Sequence, residues 1–299
     1  MNDVKDDLKA KTVQSKNQPE KEETENLRSV EFEKALLFFK SQLWKEEGKD
    51  TLKYLTKKRR YTEDDIEAMD LGFFPSQESA EEHLGDLMNT LGLTEQEFGN
   101  THRLVIPYRD PEGRMKGFIV RRLNAIRPKF IYSAGTIRDT LFNSHLLRGE
   151  QHTIVVEGYF DALIATQRGI KGVVAIGGTR LTHKMVEDMI EKGVTTITLI
   201  PDNDLRGVQG AEKSLQLITE NELNAFVVEL PDTVKDLDEF IRKQGIEAFK
   251  ELKKQPLSAE KWMANYLQNK RGNIKVQIRT ADNTAPPSRV YYINREKES

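Results

Sequence analysis

The chain has 299 residues, of which 31% are Asp, Glu, Lys or Arg, yet its formal net charge is only −2. That balance hides many charges of both signs, so overall charge does not by itself announce a nucleic-acid binder. Cysteine is absent, which removes disulfides, thiolate zinc sites and cysteine nucleophiles and leaves oxygen ligands, hence magnesium, manganese or calcium, for any metal.

The length accommodates two domains. The five histidines, at 83, 102, 145, 152 and 183, form no ligand pair at helical or finger spacing. No apolar run approaches bilayer length and the N-terminus lacks a signal-peptide core, so the expectation is a soluble cytoplasmic protein with no membrane partner.

Residues 1–28 are rich in Lys, Glu, Asp, Asn and Gln and nearly free of large apolar side chains. Such a stretch cannot offset its own ordering entropy, and it is expected to be a disordered charged tail. From Val30 onward Phe32, Ala35, Leu36, Phe39, Leu43 and Trp44 fall mostly at helical spacing, which predicts an amphipathic helix. Two further helices follow in "DTLKYLTKKR" and "TEDDIEAMDLG", the second with Thr62 as N-cap and acids in its first turn. A polar helix near "SAEEHLGDLMNTLG" precedes "HRLVIPYRDPEGRMKGFIVRRL", which reads as two strands around a turn. The hairpin carries Arg103, Arg109, Arg114, Lys116, Arg121 and Arg122, with Lys129 shortly beyond.

From residue 151 to about 255 the texture alternates: strands at 153–157, 172–176, 195–200 and 225–230, with helices from about 160 and at 182–192, 208–220 and 237–250. This predicts a parallel sheet flanked by helices on both faces. Residues 256–299 are expected to form a helical and basic extension.

Ligands of open parallel sheets gather outside the carboxyl ends of the strands. Glu157 and Asp202 stand at two such ends, Asp204 follows two residues later, and Asp161, Asp236 and Asp238 are placed at the same edge. Several carboxylates so close together repel and drive their pKa values apart unless a cation compensates. Magnesium, which takes few carboxylates and keeps room for phosphate oxygens, fits such a site and points to phosphoryl chemistry. Gly177 and Gly178 open a helix after a strand and would let backbone approach a phosphate, and Arg206 has a similar position beside the Asp pair.

The pairing of "VVEGYFDAL" with "PDNDLRGVQGAEKSL" resembles the toprim domain of primases, topoisomerases and some nucleases. With "RLVIPYRDPEGRMKGFIVRR", "PKFIYS", "LFN" and "LPDTVKDLDEFIRKQGIEAF" in the same order, the stretch from Lys34 to Met263 resembles the catalytic core of bacterial (DnaG-type) DNA primases. The resemblance implies an α/β fold, in which a toprim domain at 151–255 follows a mixed α+β basic subdomain at 29–150. It also implies that Glu157, Asp202 and Asp204 are the catalytic metal-binding acids, with Asp161, Asp236 and Asp238 as accessory acids. Arg121 and Lys129 then match the family's basic residues that line the nucleotide and template groove, and Arg103, Arg109, Arg122, Gly177, Gly178 and Arg206 are the further nucleic-acid and nucleotide contacts expected from the basic hairpin and the helix starts.

The implied activity is RNA primer synthesis from ribonucleoside triphosphates on single-stranded DNA, with Mg2+ or Mn2+ and without zinc. A replicative helicase or a separate zinc-binding subunit would be a partner, since the family's zinc ribbon and helicase-binding domain are not expected within this chain. Ile119, Val120, Tyr132 and Asn203 depart from the family pattern, the first two replacing glycines. A toprim nuclease and a non-catalytic DNA-binding accessory protein of a mobile element are the alternatives.

Overall fold

A computed structural model describes residues 3–124, 126–136 and 140–272, with side chains from 22 to 268 among them. The chain divides into two compact units, Met1–Ile137 and Arg138–Ser299.

In the first unit α1 (Asp3–Leu43) is followed by α2 (Lys49–Lys53), a wide π turn at Tyr54–Lys58, and α3 (Glu63–Ala68). Then come β1 (Gly72–Phe73), α4 (Gln77–Leu84), α5 (Leu87–Thr90), β2 (Leu104–Arg109), β3 (Met115–Arg121) and β4 (Phe130–Tyr132). The predicted apolar face of α1 is its buried face except at Trp44, which lies past the helix end and is exposed: Phe32 meets Phe118 edge-on at 5.5 Å, and Phe39 meets Phe118 at 5.3 Å and stacks on Phe74 at 4.7 Å. Residues 3–28, expected as a disordered tail, are instead continuous with this helix. Once the Phe32–Leu43 turns are held by packing the nucleus exists, and Lys- and Glu-rich sequence propagates a helix readily. Glu25 then reaches Arg114 at 3.3 Å and Lys116 at 3.2 Å. Residues 1 and 2 lie outside the described residues.

Thr62 caps α3 as predicted, in a reciprocal pair with Asp65: each side chain accepts the other residue's backbone N–H. The hairpin forms an antiparallel ladder from Leu104↔Arg121 to Arg109↔Met115. Its turn is held by Asp110 Oδ1, which accepts from Glu112 N at 3.1 Å and Arg114 N at 2.9 Å. Ile119 and Val120 are both buried in β3. The residues that stand in place of the family's glycines are therefore core side chains.

The second unit runs β5 (His152–Val156), α6 (Tyr159–Gln167), β6 (Val173–Ala175), α7 (His183–Glu191), β7 (Thr196–Ile200), α8 (Leu205–Glu220) and β8 (Asn224–Val227). It continues through α9 (Leu237–Gln244), α10 (Ile246–Leu252), β9 (Leu257–Ser258) and α11 (Ala259–Gly272). Gly245, at φ +85°, breaks the predicted 237–250 helix in two.

The sheet order is β6-β5-β7-β8-β9, parallel except for β9. From β5 the chain steps to one side, to β6, and then returns past β5 to β7. Right-handed crossovers therefore put α6 on one face and α7 and α8 on the other. The step direction reverses between β5 and β7, which opens a crevice at their carboxyl ends.

Two domain boundaries differ from expectation. Leu141 and Leu147 are buried in the second unit's core and Phe142 bridges to Ala175, so this unit begins before 151. It also continues beyond 255: β9 adds a strand, and Trp262 and Tyr266 of α11 stack at 5.4 Å in the same core. The polar surface of α11 disguised a single apolar stripe in the sequence. The remainder of the 256–299 extension, from 273, lies outside the described residues.

Candidate active site

Glu157 directly follows β5 and Asp202 follows β7 one residue after Pro201, so both stand at the crevice where the step direction reverses. The backbone N–H of Asp202 donates to Glu157 Oε1 at 3.1 Å, which ties two positions 45 residues apart. Asp204 caps α8, and its Oδ1 accepts from the N–H groups of Arg206 and Gly207 at 3.0 Å each. Gly207 has a specific reason to be glycine: a Cβ there would press on the Asp202 carbonyl and lie 2.5 Å from Glu157 Oε1.

Lys235, which sequence reasoning passed over, stands among these acids, its Nζ 3.7 Å from both Asp202 Oδ2 and Asp204 Oδ2. The only sequence signal was a lysine inside an acidic run, "TVKDLDEF". Asn203 anchors the loop that carries it: its N–H donates to the Lys235 carbonyl at 2.7 Å, and its Nδ2 donates to the Leu230, Pro231 and Val234 carbonyls at 2.9 to 3.1 Å. The departure at Asn203 thus has a positioning role.

The electrostatics are those of crowded acids. Burial, and then the Asp202 charge, pushes Glu157 up to about 8, and burial followed by Asp236 pushes Asp202 up to about 6. Burial works against the Lys235 ammonium, but Asp202, Asp204, Asp236 and Glu157 outweigh it and raise its pKa.

The six acids differ in burial and in their hydrogen-bond partners. Asp161, on α6, is buried and held well above the usual carboxylate range, first by burial and then by Asp236; its Oδ1 accepts the Asp238 N–H at 2.7 Å. Asp238 is buried too, and its Oδ2 accepts from Arg242 Nε at 2.9 Å. Asp236 caps α9 through the Glu239 N–H at 2.8 Å. Among the described residues no three carboxylates converge into a ready-made cation cage. Like charges separate where backbone donors are within reach, and here Glu157, Asp161, Asp204 and Asp236 have each found one. Glu157, Asp202 and Asp204 nevertheless offer hard oxygen donors in a crevice whose negative charge is met by one ammonium, and that donor set fits Mg2+ or Mn2+.

The other sequence candidates differ among themselves. A Cβ on Gly177 (φ +65°) would collide with the Tyr159 ring, whereas Gly178 is open, with Ile176 Cγ2 the nearest atom at 4.0 Å. Arg206 is exposed on α8. In the first unit Arg109 is ion-paired with Glu33 at 2.5 Å, and Arg103 lies 5.4 Å over the Phe73 ring. Arg114 and Lys116 are drawn to Asp110 and Glu25, so the turn end of the basic hairpin is neutralised.

Positive charge gathers instead at the hairpin's other end. Arg121 is buried between the rings of Tyr54 and Phe130, 5.4 and 5.5 Å from their centroids, and Lys58 and Arg59 each lie 5.7 Å over the same Tyr54 ring. Arg122 donates its backbone N–H to the carbonyl of the exposed Lys129. The "KKRR" run that feeds this cluster was legible as charge, but only folding placed it beside Arg121.

Residues 38–146 match the family "DNA primase catalytic core, N-terminal domain", and residues 154–241 match "Toprim-like". The chain carries a DnaG-type primase catalytic core with a toprim domain. The DNA primase of Enterococcus faecalis is 30% identical over 262 residues, covering 78% of this chain and 41% of its own length. This primase core therefore spans less than half of the curated relatives it matches, the Listeria innocua DNA primase being covered over 44% at 30% identity. Among solved structures, the Aquifex aeolicus primase with its zinc-binding and RNA polymerase domains is 26% identical, with TM-score 0.65, covering 82% of this chain and 64% of that one.

Proposed function

We infer that this primase core is the nucleotidyltransferase of DNA replication priming, a DNA-directed RNA polymerase that joins ribonucleoside triphosphates on a single-stranded DNA template. The observation that carries this reading is the meeting of Glu157 with the Asp202–Asp204 turn at the carboxyl ends of β5 and β7, behind a matched primase N-terminal domain. Glu157, Asp202 and Asp204 would hold Mg2+ or Mn2+, which when bound neutralises phosphate charge and lowers the pKa of an attacking hydroxyl. Gly207 and Asn203 hold these acids and the Lys235 loop in place, and Lys235 offers an ammonium to an incoming phosphate. Asp161 and Asp238 act as positioning residues that tie α6 to α9. In the first unit Arg121, Arg122, Lys129 and the Lys57–Arg60 run supply the phosphate contacts that give sequence-independent affinity.

The DNA primases among its relatives support template-directed synthesis. A replicative helicase and a zinc-binding template reader are the partners this reading assigns, the latter outside these cysteine-free residues. No helix among the described residues is long and apolar enough to cross a membrane, and the reading places the work on cytoplasmic DNA.

The test is primer synthesis with labelled ribonucleotides on single-stranded DNA, in magnesium and then manganese, comparing wild type with Asp202→Ala/Asp204→Ala. Short oligomers that disappear in the variant are expected. Full activity in a folded variant refutes the reading, and metal-dependent loss of template without nucleotides moves the chain to the toprim nucleases.

A further inference from the structure

Helix α1 is apolar on two faces. Phe32, Ala35, Leu36, Phe39 and Leu43 are buried in the first unit, whereas Leu27, Val30 and Leu37 are 63%, 51% and 67% exposed, and Trp44, the residue after the helix, is 38% exposed. Four other large apolar side chains stand exposed among the described residues, so half of that set gathers along about 26 Å of one element. Single exposed apolar residues are ordinary, but a row of them marks a contact surface. The row has a period: positions 27, 30, 34, 37, 41 and 44 follow the a and d spacing of a heptad, with Val30, Leu37 and Trp44 seven residues apart. Trp44 Nε1 donates to Glu67 Oε1 at 2.8 Å, which satisfies the one polar atom of the indole and leaves its ring to be covered. The helix itself has 41 residues, several times the common length of about 12.

The charges along this face say what covers it. On the side turned to the first unit Glu25 pairs with Arg114 and Lys116, Glu33 with Arg109, and Lys40 with Glu67 and Asp70. Among the described residues Glu22, Glu23, Glu31, Lys34 and Lys45 make no ion pair. The unpaired acids precede Val30 or adjoin it, and the unpaired lysines follow, so the face is complementary to itself when reversed. A parallel second copy would set Lys34 against Lys34, and a like-charged pair in the seam is repulsive. An antiparallel copy that places Leu27 against Leu37 sets Val30 against Lys34, whose ammonium then reaches Glu31 of the other copy. The same register brings Glu22 and Glu23 within a turn of Lys45. Each of these contacts occurs twice, as two-fold symmetry requires.

We propose that the outer face of α1 is a self-association surface, on which two copies of this chain pair through antiparallel α1 helices. The surface belongs to the first unit and involves none of the acids at the ends of β5 and β7. It stands whether or not the chain makes primers.

The experiment is sedimentation equilibrium of the full chain over a wide range of concentration, comparing wild type with Leu27→Glu/Leu37→Glu, Glu31→Lys and Lys34→Glu. Both leucines are exposed, so the first variant is expected to melt with dilute wild type. The wild type should reach a dimer that this variant weakens about tenfold or more. Glu31→Lys and Lys34→Glu should each weaken the dimer alone and restore it when mixed, because each then supplies the charge the other lacks. Orientation is read separately by disulfide trapping, for which a chain without cysteine gives a clean background. Leu27→Cys and Leu37→Cys should cross-link to each other when mixed and neither to itself. A monomer at every concentration, a dimer indifferent to Leu27→Glu/Leu37→Glu, or cross-linking of either cysteine variant on its own each overturns the proposal. The readout is mass and covalent linkage, so loss of primer synthesis cannot be mistaken for loss of this surface.

Discussion

Gly207→Ala isolates the positioning of the acids from their chemistry. The new methyl would press on the Asp202 carbonyl and lie 2.5 Å from Glu157 Oε1 and 3.0 Å from Asp202 N. The obstructing atoms are mostly backbone, so α8 or the Asp202 turn must shift. Overpacking of this kind costs about 1–3 kcal/mol, and replacing a helical glycine by alanine returns about 1 kcal/mol. The net loss is about 0–2 kcal/mol, which at roughly 2–4 °C per kcal/mol lowers Tm by less than about 8 °C and leaves the protein folded at 25 °C. A displacement near 1 Å between Glu157 and Asp202 should, by contrast, reduce primer synthesis about a hundredfold. Gly178→Ala is the control, since its Cβ meets nothing nearer than 4.0 Å; it should stay within about twofold of wild type. Circular-dichroism melts and initial rates at 25 °C are read together. Wild-type rates in Gly207→Ala, or a loss no larger than the unfolded fraction, would refute the argument that this close approach aligns the acids.

Asn203→Ala removes the donor shared by three carbonyls and should cost about 1–3 kcal/mol, with faster amide exchange in 230–235 as the local readout. Trp262→Ala should destabilise the second unit by about 3–5 kcal/mol in urea unfolding; a silent substitution would show that α11 is an appendage rather than core. Burial, together with the Arg122 charge and against the Pro128 hydrogen bond, holds His102 below its ordinary value of 6.5. The unfolded chain therefore binds this proton more readily, and the stability His102 contributes is present above pH 6.5 and lost as pH falls below it; His102→Gln should flatten that slope in melts at pH 5 to 8. Asp161→Asn keeps an acceptor for the Asp238 N–H but removes a buried carboxyl whose folded pKa is raised. That carboxyl costs stability as pH rises above its unfolded value, so in EDTA the variant should gain Tm at pH 7 and not at pH 3; a loss at pH 7 would count against it.

The strand and helix alternation from 151, the amphipathic turns after Val30 and the Thr62 cap were legible because period and capping chemistry are local. So were Glu157, Asp202 and Asp204, since a strand that ends in carboxylates shows itself in the sequence. What the sequence concealed depended on neighbours distant along the chain. Charge in the basic hairpin looked uniform, but Glu25 and Asp110 neutralise its turn end while Tyr54 and Phe130 enclose Arg121 at the other. Asp161 and Asp238 read in the sequence as further metal ligands; that the Asp238 N–H donates to Asp161 across α6 and α9, and that Arg242 donates to Asp238, is visible only in the fold. Lys235 and Asn203 gained their roles only when the β8–α9 loop folded over the Asp202 turn. Local spacing thus determined which residue types stand at the carboxyl ends of the strands. How deeply each of those acids is buried, and which donor it meets, was decided by tertiary packing, because the groups that bury and bind them lie far apart along the chain.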